Sequence, residues 1–188
     1  MRWFVAVLYT SLALGANVAI AGDATDLEAL RVGDMRKLVF HAEPEAVPDV
    51  AFMDESDNPL DLSQFQGQYT LVNFWATWCA PCRHEMPSLS ALQDTLGSDD
   101  FKVVTIASGR NPVAAMRRFF EEIEVDNLPL YRDPKQALSR QMAVLGLPIT
   151  VLVDPEGREI ARLRGDADWA SDEAVALIEA VLNGGGDS

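Results

Sequence analysis

The chain has 188 residues, 48% of them hydrophobic, with a formal charge of −14 and an isoelectric point near 4.4. That content can bury the core of one domain of ordinary size with short segments to spare. The negative balance excludes a nucleic-acid binder, because a polyanion is repelled, and suits a soluble protein whose partners are neutral or basic.

Residues 1–21 carry a targeting pattern. Arg2 precedes the apolar run from Trp3 to Leu14, and small residues end in Ala19-Ile20-Ala21. This is the layout of a secretory signal with an A-x-A cleavage site. The rival is an uncleaved anchor: Trp3 to Ala21 is 19 residues, close to the ~20 that span a bilayer. Thr10, Ser11 and Asn17 weaken the anchor, and Gly22 in place of Cys excludes lipidation at that site. Either reading places the domain outside the cytoplasm, in the periplasm, free or tethered to the inner membrane.

Residues 22–46 read as a linker, with a short helix over Asp26 to Phe40 as the alternative (Leu27, Leu30, Leu38), broken by Gly33 and stopped by Pro44 and Pro48. From Val50 the pattern turns globular. Val50 to Met53 reads as a strand, Asp54 to Pro59 as a turn, and Leu60 to Leu62 as a second short strand. Tyr69 to Ala76 is a nearly continuous apolar run, the mark of a strand buried on both faces. A helix follows, containing Pro87 and running through Leu89, Leu92 and Leu96 to Gly97. Phe101 to Ala107 is a second buried strand. Asn111 caps a helix with Pro112 at its first position, whose apolar face is Met116, Phe119, Phe120 and Ile123. Leu128 to Tyr131 is a short strand and Pro134 to Ala143 a helix. Leu145 to Val153 and Glu159 to Leu163 form a hairpin about Asp154-Pro155-Glu156-Gly157. Ser171 caps a last helix, and residues 183–188, with Gly184-Gly185-Gly186, read as a disordered tail. Alternating buried strands and helices imply an α/β sheet covered on both faces.

The only two cysteines stand in Trp78-Cys79-Ala80-Pro81-Cys82, behind the apolar strand and ahead of the helix. A C-x-x-C pair in that context is a redox arrangement. Disulfide exchange needs an attacking thiolate and a second thiol that resolves the mixed disulfide. The first cysteine of such a motif sits at a helix N-terminus, where unpaired N–H groups and the helix dipole lower its pKa from ~8.5 into a range of ~3.5–7.5. Cys79 is therefore the attacking sulfur and Cys82 its less exposed partner. Pro81 supplies no N–H to the thiolate, which points to a milder acid and a reducing pair.

Glu85 lies i+3 from Cys82, on nearly the same helical face. On spacing alone a solvated helix charge is the better reading; a proton acceptor for Cys82 is the alternative. His84 turns to the opposite side and reads as a surface residue. No metal set is evident: Cys79, Cys82, His84 and the remote His41 do not have zinc spacing, and Arg83 occupies the place where C-x-x-C-H haem attachment needs His. Two thiolates could still take copper, without an evident third ligand. Pro148 precedes an apolar run. It is either a cis-proline, the one residue type where that isomer is inexpensive, or an ordinary strand-initiating proline.

Asn73 to Pro87 (Asn-Phe-Trp-Ala-Thr-Trp-Cys-Ala-Pro-Cys-Arg-His-Glu-Met-Pro) resembles the active-site segment of TlpA-like proteins, the secreted or membrane-tethered thiol–disulfide oxidoreductases of bacteria. The similarity continues through Gly146 to Asp154 and Gly157, and covers residues 47–182. Val47-Pro48-Asp49, Leu62 to Gly67 and Trp169-Ala170-Ser171 add to it. The resemblance implies a thioredoxin-like fold: a central mixed sheet flanked by helices, an N-terminal β-hairpin, and an inserted helix–strand segment from Asn111 to Pro134. It implies that Cys79 is the nucleophile and Cys82 the resolving thiol, with no cofactor. Pro148 becomes a cis-proline facing Cys79, Leu147 pairs by its backbone with the substrate chain, and Trp78 shields the disulfide. Glu85 becomes the active-site acid, which reverses the reading from spacing. Common thioredoxin carries a buried Asp where this chain has Asn73, so Asn73 cannot accept a proton.

The implied activity is reduction of cysteines in extracytoplasmic proteins: copper-delivery proteins, the copper-binding oxidase subunit, or apocytochrome c. The implied electron donor is a membrane thiol-transfer protein, and a monomer is expected. Competing readings are a peroxidase, a disulfide oxidant or isomerase, a copper-binding chaperone, and a docking module without turnover.

Overall fold

The computed structural model describes residues 23–184; the expected signal or anchor and the last four residues of the expected tail lie outside the described residues. Eight strands form one mixed sheet: β1 (Leu38–Ala46), β2 (Phe52–Met53), β3 (Pro59–Leu60), β4 (Tyr69–Trp75), β5 (Phe101–Ser108), β6 (Tyr131–Asp133), β7 (Ile149–Val153) and β8 (Arg158–Arg164). Their order is β1-β8-β7-β4-β5-β6-β2-β3. The helices are α1 (Asp23–Leu30), α2 (Ala80–Leu96), α3 (Val113–Glu122), α4 (Ala137–Gln141) and α5 (Asp172–Gly184), with 3₁₀ turns at Gly33–Lys37 and Leu62–Phe65. The α/β architecture and the small hairpin β2–β3 are as the sequence predicts.

β4 pairs parallel with β5 and antiparallel with β7, so both its edges are covered. Successive residues of a strand point to opposite faces, and here each face meets its own core. Leu71 and Trp75 join α2, α3 and α5 on one side. Val72 and Phe74 join Phe52, Leu62, Phe65 and Leu138 on the other. This two-sided burial is why the sequence reads as an unbroken apolar run. In the first core Trp75 stacks on Phe120, with ring centroids 5.5 Å apart, and meets Phe119 at 5.6 Å. The inserted segment is thereby fastened to the strand that leads into the cysteines.

Several expectations are corrected. Residues 23–46 are not a mobile linker: the alternative of a short docked helix holds in part, as α1 (Asp23–Leu30), which lies ahead of the expected Asp26 to Phe40 and packs on α5. β1 pairs antiparallel with β8, and Met35 and Leu38 are fully buried, so the folded unit begins before residue 47. Pro44 is tolerated because β1 is an edge strand, and the ladder is irregular between Phe40 and Glu45. His41, a remote metal candidate on sequence, donates its Nε2–H to Glu159 Oε1 at 2.8 Å, and Arg162 grips the same carboxylate through two bonds of 2.7 Å. Asn111 does not cap α3; Pro112 holds the cap position without a side-chain bond. The helix expected from Pro134 begins at Ala137, whose N–H is taken by the Asp133 carboxylate. Residues 145–148 precede β7 as a loop. Ser171 caps α5 as expected, accepting from the Ala174 N–H. That helix runs to Gly184, past the expected start of the tail at 183.

Candidate active site

The end of β4 delivers Thr77 and Trp78 to the sheet's rim, and α2 starts there. Cys79 is its N-cap residue: Sγ accepts from the Cys82 N–H at 3.3 Å. A sulfur in that position faces the unpaired N–H groups of the first turn, the place where an anion is stabilised. Cys79 and Cys82 are joined as a disulfide with Cα atoms 5.3 Å apart. Cys79 is 6% exposed and Cys82 fully buried, the asymmetry that separates an attacking from a resolving sulfur. Among the described residues no group of three or more His, Cys, Asp or Glu side chains could hold a metal ion.

Glu85 is buried, only 2% exposed. α2 buries Cys82, Glu85, Met86, Leu89 and Leu92, one stripe at helical period, and Glu85 occupies a core position in it. Its Oε1 accepts from Asn73 Nδ2 at 2.8 Å; its Oε2 accepts from the Ala167 N–H at 3.2 Å and from Trp169 Nε1–H at 3.4 Å. Burial outweighs these three bonds and pushes the carboxyl from 4.5 up to about 7; nearby Asp166 adds a smaller push the same way. A carboxyl poised near neutrality can take and return a proton at working pH. The solvated-charge reading of Glu85 is thus overturned.

Asn73 stands where a second acid would compete with Glu85. Its Nδ2 also donates to Thr150 Oγ1 on the neighbouring strand at 2.9 Å, and the two residues are cross-strand partners in register. Its Oδ1 is buried with no hydrogen-bond partner.

Leu147 and Pro148 lie just before β7, joined by a cis peptide bond. Pro148 is buried and Leu147 half-buried. Trp78 is 68% exposed and Leu145 96%. Trp78 therefore presents an apolar face at the rim beside the buried pair. His84 is exposed, as read from the sequence. Arg83 lies 4.0 Å above the Phe119 ring and 3.4 Å from Glu122, joining the first turn of α2 to α3.

Three further residues contribute through contacts that local sequence patterns do not show. Asn111 Oδ1 accepts from both the N–H of Thr77 (2.8 Å) and its Oγ1–H (2.9 Å), while Asn111 Nδ2 donates to the Ser108 carbonyl (2.9 Å). This latch ties the cysteine loop to the end of β5. Ala167 and Trp169 reach Glu85 from the segment between β8 and α5, a long-range contact that no local pattern encodes.

A redox disulfide at a helix N-terminus, set at the end of a central strand of a mixed sheet, defines a thiol–disulfide oxidoreductase. The chain belongs to the AhpC/TSA family, matched over residues 44–160. It is similar to the thiol-disulfide oxidoreductase ResA of Bacillus subtilis, 27% identical over 66% of this chain and 68% of that protein. It is also similar to the thiol:disulfide interchange protein HelX of Rhodobacter capsulatus, 33% identical over 64% of this chain and 65% of the relative. Among solved structures, a putative thiol:disulfide interchange protein DsbE from Chlorobium tepidum superposes with a TM-score of 0.65 at 26% identity, covering 74% of this chain and 97% of that one. The fold is thioredoxin-like.

Proposed function

We propose that this protein is an extracytoplasmic disulfide reductase of the TlpA-like branch, similar to TlpA itself. In this reading the dithiol form is the working state. The Cys79 thiolate attacks a disulfide in a partner protein, forming a mixed disulfide and releasing one partner thiolate. Cys82 gives its proton to Glu85 and attacks Cys79 Sγ, which closes the internal disulfide and releases the second thiolate. Two electrons pass to the partner, and a membrane thiol-transfer protein restores the dithiol. The observation that carries this reading is the neutral-pH carboxyl of Glu85, buried one helical turn from the fully buried Cys82. In the reducing direction Glu85 takes the Cys82 proton, and in the oxidising direction the same carboxyl returns it to the leaving thiolate, so the reducing direction rests on Pro81, which supplies no N–H to the Cys79 thiolate, and is tested by the potential.

In the same reading Trp78, the Leu147 backbone and Pro148 receive the partner chain, and the partners are cysteine proteins awaiting copper or haem: a copper-delivery protein, an oxidase subunit, or apocytochrome c. Residues 1–21 deliver the domain to the periplasm; no described helix is long and apolar enough to cross a membrane. The relatives' designations as thiol-disulfide oxidoreductase and interchange protein support the reaction class.

The test is a trap. With Cys82→Ser, the mixed disulfide on Cys79 cannot resolve, and the partner stays linked for identification after expression in the periplasm. Cysteine proteins destined for a metal or haem are expected. A reduction potential near about −120 mV, that of a strong oxidant, would overturn the reductase assignment.

A further inference from the structure

Glu85 is buried, yet it lines a cleft of about 290 Å³. The cleft runs between α2, where His84 and Ser88 face it, and the segment after β8, where Asp166, Ala167 and Asp168 form the opposite wall. Asp34, from the 3₁₀ turn before β1, closes one side, held there by accepting from the Asp168 N–H at 3.1 Å. Neither cysteine lines this space. At about 30 Å³ per water it holds several molecules.

The two oxygens of Glu85 face different surroundings. Oε1 meets Asn73 on the central strand, on the core side. Oε2 meets the backbone of Ala167, itself part of the cleft wall. One carboxyl therefore bridges the protein interior and a water-sized opening.

We propose that this cleft is the route by which Glu85 exchanges its proton with solvent while a docked partner covers the disulfide. The inference rests on the reductase reading above. In each turnover Cys82 gives one proton to Glu85, and while the partner still covers the disulfide Glu85 can return to its ionised form by passing that proton to water on another side. With Trp78 and the Pro148 loop covered, the docking face is closed to water. The cleft offers a second exit, walled by groups that can carry a proton onward: His84 from α2, Asp166 and Asp168 from the segment after β8, and Asp34 with its ion-pair partner Lys37 (2.7 Å) from the N-terminal turn. Asp166 also helps hold the Glu85 carboxyl in its neutral range. Only O–H, N–H and S–H bonds are made or broken along the route, so it needs no further reactant.

The experiment is chemical rescue with the opening plugged. Reduced protein is mixed with insulin, and oxidation of the dithiol is followed in a single turnover at pH 7.5. Glu85→Ala is expected to slow the reaction by about 10²-fold, the low end for loss of a proton acceptor. Added formate is expected to recover about a tenth or more of the lost rate. His84→Trp, which fills the mouth of the cleft, is expected to abolish that rescue in the Glu85→Ala background. Rescue that persists undiminished with the cleft filled, or no rescue in a folded Glu85→Ala protein, overturns the route. As a second measurement that does not depend on the plug folding well, Asp166→Asn is expected to move the neutral inflection of the wild-type pH–rate profile to lower pH. In Glu85→Gln the same substitution should leave the remaining profile unmoved; a Glu85-dependent inflection that stays in place in the otherwise wild-type protein overturns the proposal. A wild-type protein that reduces no protein disulfide sinks the reductase reading itself, whereas normal reduction without plug or Asp166 effects sinks the route alone.

Discussion

Replacing Glu85 with Gln should make the oxidised protein more stable, and only above a definite pH. In the unfolded chain this carboxyl titrates near 4.5; in the folded protein burial holds it at about 7. Below 4.5 both states carry the proton and the wild type loses nothing. Between the two values the unfolded chain releases its proton while the folded protein keeps it, so folding stability falls as pH rises. Above 7 the loss is complete, and the raised value corresponds to about 3 kcal/mol. Gln escapes this cost if its amide can be satisfied. Its Oε1 can take the bonds from Ala167 and Trp169 that now go to Glu85 Oε2. Its Nε2 would meet the Asn73 Nδ2 donor, but a turn of the Asn73 amide presents the partnerless Oδ1 instead, and Thr150 can then donate to that oxygen in place of accepting. Urea unfolding of the oxidised protein at pH 4, 5.5, 7 and 8.5 measures the difference. The expected gain for Glu85→Gln is near zero at pH 4 and grows to about 3 kcal/mol by pH 8.5. A gain that is flat across this range would refute the assignment of the neutral pKa to Glu85.

Other outcomes follow from the packing and the latch. A chain truncated to begin at Val47 removes β1 and uncovers Leu163 and Ala161 on β8; it is expected to aggregate or to lose several kcal/mol in denaturant unfolding, whereas truncation at Arg31 should be tolerated better. Asn111→Ala leaves the Thr77 N–H and hydroxyl without their acceptor, at a cost of about 1–3 kcal/mol; amide exchange at Thr77 should quicken, and unchanged protection there would show that the latch does not hold the cysteine loop. Phe120→Ala strips the ring stacked on Trp75 and is expected to lower stability by about 3–5 kcal/mol, read from the shift in the urea midpoint.

The elements buried on two faces were the ones legible in the sequence. β4 and β5 appear as apolar runs because all of their residues except Tyr69 and Lys102 are buried, and the α2 and α5 stripes follow the helical period. β1 was hidden for the opposite reason: an edge strand carrying His41, Glu43, Pro44 and Glu45 has no apolar signature, and its partner lies over a hundred residues away. Asn111 was misread because a local rule, polar residue before proline, competes with a tertiary contact that the rule cannot see. Glu85 was legible after all. Extending the Leu89 and Leu92 stripe back from Leu89 by one and two turns lands on residues 85 and 82, and an acid at a core position is a sign of function. What spacing could not supply was the identity of its partners, since Ala167 and Trp169 are more than eighty residues further along the chain.

The pairing of β1 with β8 also sets the mechanics of the molecule's front end. A strand sewn into the sheet cannot pay out like a cord, so whatever is joined ahead of α1 is mounted on a stiff bracket. The angle at which the sulfur pair meets a client is then governed by how the whole body swivels, and lengthening the chain upstream of α1 should widen the reach without loosening the aim.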